Sequence, residues 1–559
     1  MSVAATSKLA TFPEDWNSGV EAGATFFFDP MHYPFPHTPL TSSTLGPAFG
    51  AGFTAAAKEL NAPIREVRVR YRNHYRFEIF DMFQPATDDE ARELGEKAEA
   101  TGRAEIGRML DRWHGEHLPA IQRHLVRLGT MDVRQAAGAD LVDLVREVES
   151  IHKDLWTIHF RLALPMLVSM QIFDEFHAEV FGGTDADAHA LVAGSLSESV
   201  KAGMGLSDLA LAAQELGLAS VFEETPLDTL VEVLNTSGNG RAFLGKLHEY
   251  LDDYGLRQDL FELATPTWRE DPSFALSNVR SYLRTGHDAR KAHAAISREA
   301  DGALTVARDT IAAYPEAVRG QFEALLQFGR QANFLQEEHN FYIDQQGLAR
   351  LRLFYLGIGQ RLFEAGLLGA ADDVFMLYVD ELQQAVNEID DPMPSDRFQS
   401  IVRERLNEME IARSLTPPPF VGEPPAGPPP TGDPMQRALF KFFGGPPQQA
   451  DEPNQLKGNA GSRGVATGIA RVARTLDEAT DVLPGEILIA ITTMPAWTPL
   501  FGVAAAVVTE TGGALSHCAI VAREYGIPAV VGAHGATQRI VTGQRVIVDG
   551  GAGIVTLDS

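Results

Sequence analysis

From about Asp88 to Arg413 apolar residues recur three and four apart between short turns, the period of helices that bury one face. Leu141 to Leu167, Gln171 to Phe181 and Gly205 to Leu216 are three such stretches. Two parts of the chain depart from that period. Arg65 to Phe80 alternates charged and apolar residues, with Val67, Val69 and Tyr71 answered by Tyr75, Phe77 and Ile79. Asn73-His74 supplies a turn, so a hairpin is predicted, with Arg68, Arg70, Arg72 and Arg76 on its solvent face. Val503 to Val508 is a short apolar run of the kind that forms a buried strand, and Gly512-Gly513 turns the backbone after it. An amphipathic segment follows at once and stops at Gly526, with Pro528 just beyond, a helix-stop signature.

The first 60 residues carry aromatics and prolines, Phe26-Phe27-Phe28-Asp29-Pro30 and then Met31 to Thr41. The prolines rule out one continuous helix. Two readings stand: a core-covering loop with aromatic plugs, or a wall of a cleft for a flat apolar ligand. Residues 414–457 are a Pro-rich linker, with runs at Pro417, Pro424, Pro428 and Pro446 that favour an extended, semi-rigid chain, interrupted by a short helix from Met435 to Phe443.

Bulk properties narrow the function. A chain of 559 residues holds more than one domain on size grounds. Its 47 Lys and Arg against 75 Asp and Glu give a net charge of −28, which repels nucleic acid and anionic membranes, so neither is expected as a partner. Any phosphate site must be built locally. One cysteine cannot form an internal disulfide. No apolar stretch approaching ~20 residues is evident, and the N-terminus lacks a hydrophobic signal core, so a cytoplasmic protein is expected. His152 and His159 share a helix face with no cysteine or carboxylate at ligand spacing nearby, which reads as core, and no metal is assigned.

His517 falls in the first turn of the segment that follows Gly512-Gly513. Free N–H groups and the positive dipole end at a helix start favour an anion, so a histidine there can hold a phosphoryl group on a ring nitrogen. Capping or packing is the plain alternative. The stretch Thr511-Gly512-Gly513-Ala514-Leu515-Ser516-His517-Cys518-Ala519-Ile520-Val521-Ala522-Arg523-Glu524 resembles the phosphohistidine (swivelling) domain of the PEP-utilising enzymes, a family that includes PEP synthase, pyruvate phosphate dikinase, rifampin phosphotransferase and phenylphosphate synthase. The resemblance runs from about Gly458 to the C-terminus and takes in Gly464 to Gly468, Pro484 to Leu488 and Pro495 to Leu500. It implies a small α/β swivelling domain over 458–559, with His517 as the phosphorylated residue. Thr511, Gly512, Gly513 and Ser516 would hold the phosphate, Ser516 being equally readable as a helix cap. Arg523 reads as a surface or docking residue, and Cys518 as a small buried side chain.

Residues 1–413 then form a mostly helical acceptor domain with the hairpin. Pro36-His37-Thr38-Pro39-Leu40-Thr41, Leu191 to Leu206, Tyr254 to Arg257, Thr267 to Pro272 and Glu337 to Glu381 are similar, in this order, to the substrate domain of the rifampin phosphotransferases. Members often carry Arg-Glu-x-x-Lys or Arg on the last of these helices, but the matching run here is Gln336-Glu337-Glu338-His339-Asn340, with both basic positions gone. Arg352, Arg257 and Lys201 are the remaining phosphate-holding candidates, and His37 or His339 could take the hydroxyl proton. No GxxxxGK[ST] element occurs and no ATP-grasp domain is recognised, so ATP and Mg²⁺ are expected on a separate ATP-grasp subunit, as in phenylphosphate synthase. The resemblance thus implies one subunit of a split dikinase that phosphorylates a small aromatic hydroxyl, a phenol or hydroxyphenyl ketone. The alternatives are a rifampin-like antibiotic phosphotransferase component and a non-enzymatic phosphocarrier.

Overall fold

The computed structural model describes residue 12 and residues 23–83, 85–258, 260–390, 396–422, 434–445, 447–479 and 482–558. The expected absence of a signal core in the first residues, and the extended conformation expected at Pro424-Pro425, Pro428-Pro429-Pro430 and Pro446, lie outside the described residues. The chain forms two compact units, one of Met1–Ala163, Leu260–Thr265 and Tyr342–Pro430, the other of Leu164–Asp259, Pro266–Phe341 and Thr431–Ser559.

The first unit holds a four-stranded antiparallel sheet in the order Ile64–Arg72, Tyr75–Met82, Phe26–Phe28, Phe420–Val421. The hairpin is as expected: Asn73 and His74 turn it with φ of 50° and 66°, a left-handed pair whose twist matches that of the strands. Phe26, Tyr75, Phe77 and Val421 form a buried cluster on one face, so the aromatic N-terminal stretch covers a core. The solvent-face reading fails at Arg76. The helix Pro39–Glu59 covers the opposite face of the sheet, and there the Arg76 guanidinium lies buried between Tyr33, 3.6 Å from its ring centre, and Phe49, at 4.0 Å, bonded to Glu78 at 2.9 Å. Arg70 and Arg72 are exposed, as alternation requires, and Arg68 is half-buried.

The two stretches expected around 141–167 and 171–181 are one helix, Gly138–Val180, of 43 residues, running through Pro165. This corrects the expectation about apolar length: by length and composition it could cross a membrane, but 78% of its most apolar window is buried inside the protein. Its apolar residues meet the core of a helical array, which is the plainer reason for them.

The second unit joins the helices Glu198–Glu215, Gly238–Tyr254, Ser273–Thr285, Ala289–Ile311 and Glu316–His339 to an eight-stranded mixed sheet. The sheet order is Gln455–Lys457, Ile554–Leu557, Arg545–Asp549, Val465–Ala473, Ile487–Ala490, Ala506–Thr509, Ala529–Val531, Asn459–Ser462. Four neighbouring strands, Val465–Ala473 to Ala529–Val531, run parallel. The last three of these are buried throughout, and their near-continuous apolar runs follow from being covered on both faces, whereas Val465–Ala473 is partly exposed.

Candidate functional site

The parallel strands aim the chain at its chemistry. Strand Ala506–Thr509 is wholly buried, Gly512 turns at φ 93°, and the helix His517–Tyr525 begins five residues later, ending at Gly526 with φ 66°. Ser516 occupies the cap position in extended conformation (φ −69°, ψ 157°), but its side chain makes no cap bond. Its Oγ is buried without a hydrogen-bond partner. His517 is thus the first helical residue, where the backbone N–H groups of the first turn have no intrahelical acceptor.

The imidazole is held from one side. His517 Nδ1 lies 3.2 Å from Glu337 Oε1, with side-chain exposures of 13% and 3%. Nε2 is buried with no partner. A carboxylate at Nδ1 favours the proton there and leaves the Nε2 lone pair free. Burial opposes ionisation of Glu337, yet the charge and hydrogen bond of His517, with smaller contributions from Ser199 and His339, outweigh it and hold the carboxyl below its usual value. Sequence reading passed over Glu337 because the pairing spans 180 residues; the helix Glu316–His339 carries it.

The expected phosphate-holding turn is otherwise engaged. The Gly513 N–H donates to the Phe442 carbonyl at 2.9 Å and the Thr511 N–H to Ile491 at 3.2 Å. The Thr511 hydroxyl also donates to Ile491, at 3.0 Å. Both residues are therefore committed to backbone partners, which corrects their assignment as phosphate donors in this arrangement. A Cβ on Gly513 would lie 1.7 Å from the Lys441 carbonyl oxygen, so this glycine is required by the close seating of the helix Pro434–Phe443. That helix is pinned further by Lys441, paired with Asp174 and, at 2.8 Å, with Asp185. Arg437 joins Glu175 at 2.8 Å.

Arg523 is not a surface residue. It is buried, and Nη1 donates to the carbonyls of Gly461 (2.7 Å) and Ala514 (3.1 Å), tying the edge strand to the loop before His517. Cys518 is buried as expected, and burial pushes its thiol up to about 11.

Besides the turn residues, four of the candidates share the second unit. His339 is fully buried, with Nδ1 2.8 Å from the Leu335 carbonyl, an ordinary helix back-bond. Lys201 is half-exposed and pairs with Glu198 at 2.6 Å. Arg257 is 0% exposed, and its Nε, Nη1 and Nη2 have no hydrogen-bond partner. His517 is the fourth. His37 and Arg352 belong to the first unit. His37 contacts Tyr71 Oη at 3.2 Å, and burial together with Arg76 lowers it to about 3, far from a base matched to neutral pH. Arg352 is buried and donates to the Leu263 carbonyl at 2.9 Å, with Asp372 at 3.4 Å, which reads as a structural tie. His152 accepts from the Trp156 indole at 3.0 Å, while Asp344, distant in sequence, lies 3.1 Å from His159, a carboxylate that spacing along the helix does not reveal.

A strand, a glycine turn and a helix opening on a histidine with one bare ring nitrogen define a class. Residues 482–553 match the PEP-utilising enzyme mobile domain, and residues 159–337 match the rifampicin phosphotransferase fourth domain. Chondramide synthase cmdD of Chondromyces crocatus is 34% identical over 556 residues, 98% of this chain and 14% of that protein. The uncharacterized phosphotransferase YvkC of Bacillus subtilis (strain 168) is 27% identical over 529 residues, 94% of this chain and 60% of YvkC. A rifampicin phosphotransferase of Streptomyces sviceus is 31% identical over 351 residues, 61% of this chain and 37% of that enzyme. The chain is a distant homologue of these proteins and spans less than two thirds of the length of each.

Proposed function

We propose that this chain is a phosphotransferase that carries a phosphoryl group on Nε2 of His517. The observation that carries the reading is the asymmetry of that imidazole, Nδ1 held by Glu337 at 3.2 Å and Nε2 bare at the start of a helix. In the first half-reaction Nε2 attacks the β-phosphorus of ATP bound with Mg²⁺ on a separate ATP-grasp subunit. Water is consumed, and AMP and inorganic phosphate leave. The domain of residues 458–559 then returns on the 414–457 tether to the helical region. There an acceptor hydroxyl takes the phosphoryl group, its proton passes to a base, and Nε2 regains its lone pair. Positioning and charge stabilisation, rather than covalent machinery, do most of the work in such transfers. The matched length of the synthase relative supports a module that works beside others, since 98% of this chain aligns with 14% of that protein.

The acceptor we favour is a small aromatic hydroxyl in the cytoplasm. A phenol, with a pKa of about 10, gives up its proton far more readily than an alcohol. The second reading, an antibiotic hydroxyl, has its own support in the 31% identity to a rifampicin phosphotransferase. Intact mass at alkaline pH tests both. The chain is mixed with ATP, Mg²⁺ and an ATP-grasp partner, against mixtures lacking the partner or carrying His517→Ala. One added phosphoryl mass that requires both partner and His517 is expected, and discharge onto a phenol or onto rifampicin then chooses between acceptors. A phosphohistidine that no small molecule discharges means a carrier. No phosphorylation by a competent partner overturns the proposal.

A further inference from the structure

Among the described residues no carboxylate hydrogen-bonds to Arg257, and Glu337 acts on it only through space. It follows the helix Gly238–Tyr254 and is 0% exposed. Around its guanidinium carbon stand the rings of Phe341, Trp268 and Tyr254, with centroids at 5.3, 5.4 and 5.7 Å. None of its three nitrogens has a hydrogen-bond partner. Rings soften the cost of a buried cation but accept none of its five N–H bonds, and an uncompensated buried charge is strongly destabilising. Proteins place such a group where an anion arrives.

The surroundings say which anion. Phe341 follows Glu337 by four residues, in the π-helical turn Asn340–Gln345 that continues the helix Glu316–His339, so the ring against Arg257 and the carboxylate against His517 are about one turn apart along the chain. Glu337 acts electrostatically on Arg257, as do the phenols of Tyr250, Tyr254 and Tyr525, the last of these at the far end of the helix that begins at His517. On the segment bearing Glu337 the flanking positions Gln336 and Asn340 carry no positive charge.

We propose that Arg257 and its ring of Tyr254, Trp268 and Phe341 form a phosphate-binding subsite that receives the transferring phosphoryl group carried by His517. This deepens the phosphohistidine reading and rests on it. Arg257 is a planar guanidinium fork whose parallel N–H groups match two phosphate oxygens, a fixed geometry that a lysine ammonium lacks.

The test uses the full chain with inorganic phosphate as probe, read by Tm and by the fluorescence of Trp268, isolated with a Trp268→Phe control. Phosphate is expected to raise the Tm of the wild type. In Arg257→Met the response should be roughly ten- to a hundredfold weaker, the loss of a charge-assisted pair. Without phosphate, Arg257→Met should melt no lower than wild type, because removing an unpaired buried cation removes a penalty. Arg257→Lys should recover part of the phosphate response. A wild type indifferent to phosphate, an Arg257→Met variant with the full response, or one that melts well below wild type without phosphate overturns the subsite. The phosphohistidine reading is checked in the same samples by loading wild type and His517→Ala with phosphoramidate. Absence of His517-dependent loading counts against that reading alone, since phosphate binding at Arg257 is read without it.

Discussion

Replacing Glu337 by Gln removes a charge and keeps the shape. The pair with His517 is 3.2 Å long, and the two side chains are 13% and 3% exposed, so solvent screens it little. A charge-assisted hydrogen bond of this kind is worth about 1.5–3 kcal/mol, or roughly ten- to a hundredfold in a rate that depends on it. Gln adds a second effect. Its amide can turn its NH₂ toward Nδ1, which puts the histidine proton on Nε2 and blocks the nucleophile. The assay is a time course of phosphoramidate loading, followed by intact mass at alkaline pH, for wild type, Glu337→Gln and Glu337→Asp. Loading of the Gln variant should fall by about ten- to a hundredfold, with Asp between the two. Acid should act in the same direction. The Glu337 carboxyl is held below its usual value, so its contribution is complete above the unfolded pKa of 4.5 and fades as pH falls through the lower folded value. Wild-type loading by a folded Glu337→Gln variant would refute the view that this carboxylate sets the ring.

Three further outcomes follow from the same unit. Gly513→Ala puts a Cβ 1.7 Å from the Lys441 carbonyl oxygen, so amides of the helix Pro434–Phe443 should exchange hydrogen faster than in wild type, and unchanged exchange would sink the seating argument. Asp174 is buried between His189 (2.8 Å) and Lys441, so Asp174→Ala leaves His189 without its carboxylate and Lys441 with Asp185 alone, and should cost about 3–5 kcal/mol in denaturant titration, whereas a loss under 1 kcal/mol would mean the network is slack. Glu524 accepts from Asn333 (2.8 Å) and Gly194 (3.0 Å), and burial raises it to about 7. A raised carboxyl favours the folded state most below its unfolded pKa of 4.5 and loses that contribution as pH rises through about 7, so stability from this group should fall between about pH 5 and 8. Glu524→Gln should flatten that slope, and an unchanged pH profile would discount Glu524.

The pattern of apolar residues was enough for the hairpin, the strand before Gly512 and the helix stop at Gly526, because each is set by neighbours within about ten residues. The helix start at His517 was legible for the same reason, whereas its expected role as the phosphorylated residue came from the resemblance alone. Arg76 was not, since alternation tells which face a residue takes but not that the helix Pro39–Glu59 covers that second face. Arg523 was misread likewise: helix spacing gives its direction, while its acceptors, Gly461 and Ala514, come from a strand edge and a loop. Glu337 was quoted in the sequence only as part of a run that lacked its basic residues, and its role depends on a partner 180 positions away.

The glycine turn carries the broader lesson about this site. Gly512 and Gly513 look from sequence like a phosphate cradle, but only Gly512 has the positive φ, 93°, that calls for a glycine on backbone grounds. Gly513 is needed by contact, because the helix Pro434–Phe443 gives its Phe442 carbonyl to the Gly513 N–H and lays the Lys441 carbonyl where a side chain would begin. The turn therefore seats the helix Pro434–Phe443 in this arrangement, while Ser516 Oγ, His517 Nε2 and the Arg257 guanidinium, among other buried polar atoms without hydrogen-bond partners, lie in the same unit. Unpaired buried donors are costly. The unpaired Arg257 guanidinium is the costliest of them, the cost that the proposed anion would offset, while Gly513 is required in this arrangement by the seating of the helix Pro434–Phe443.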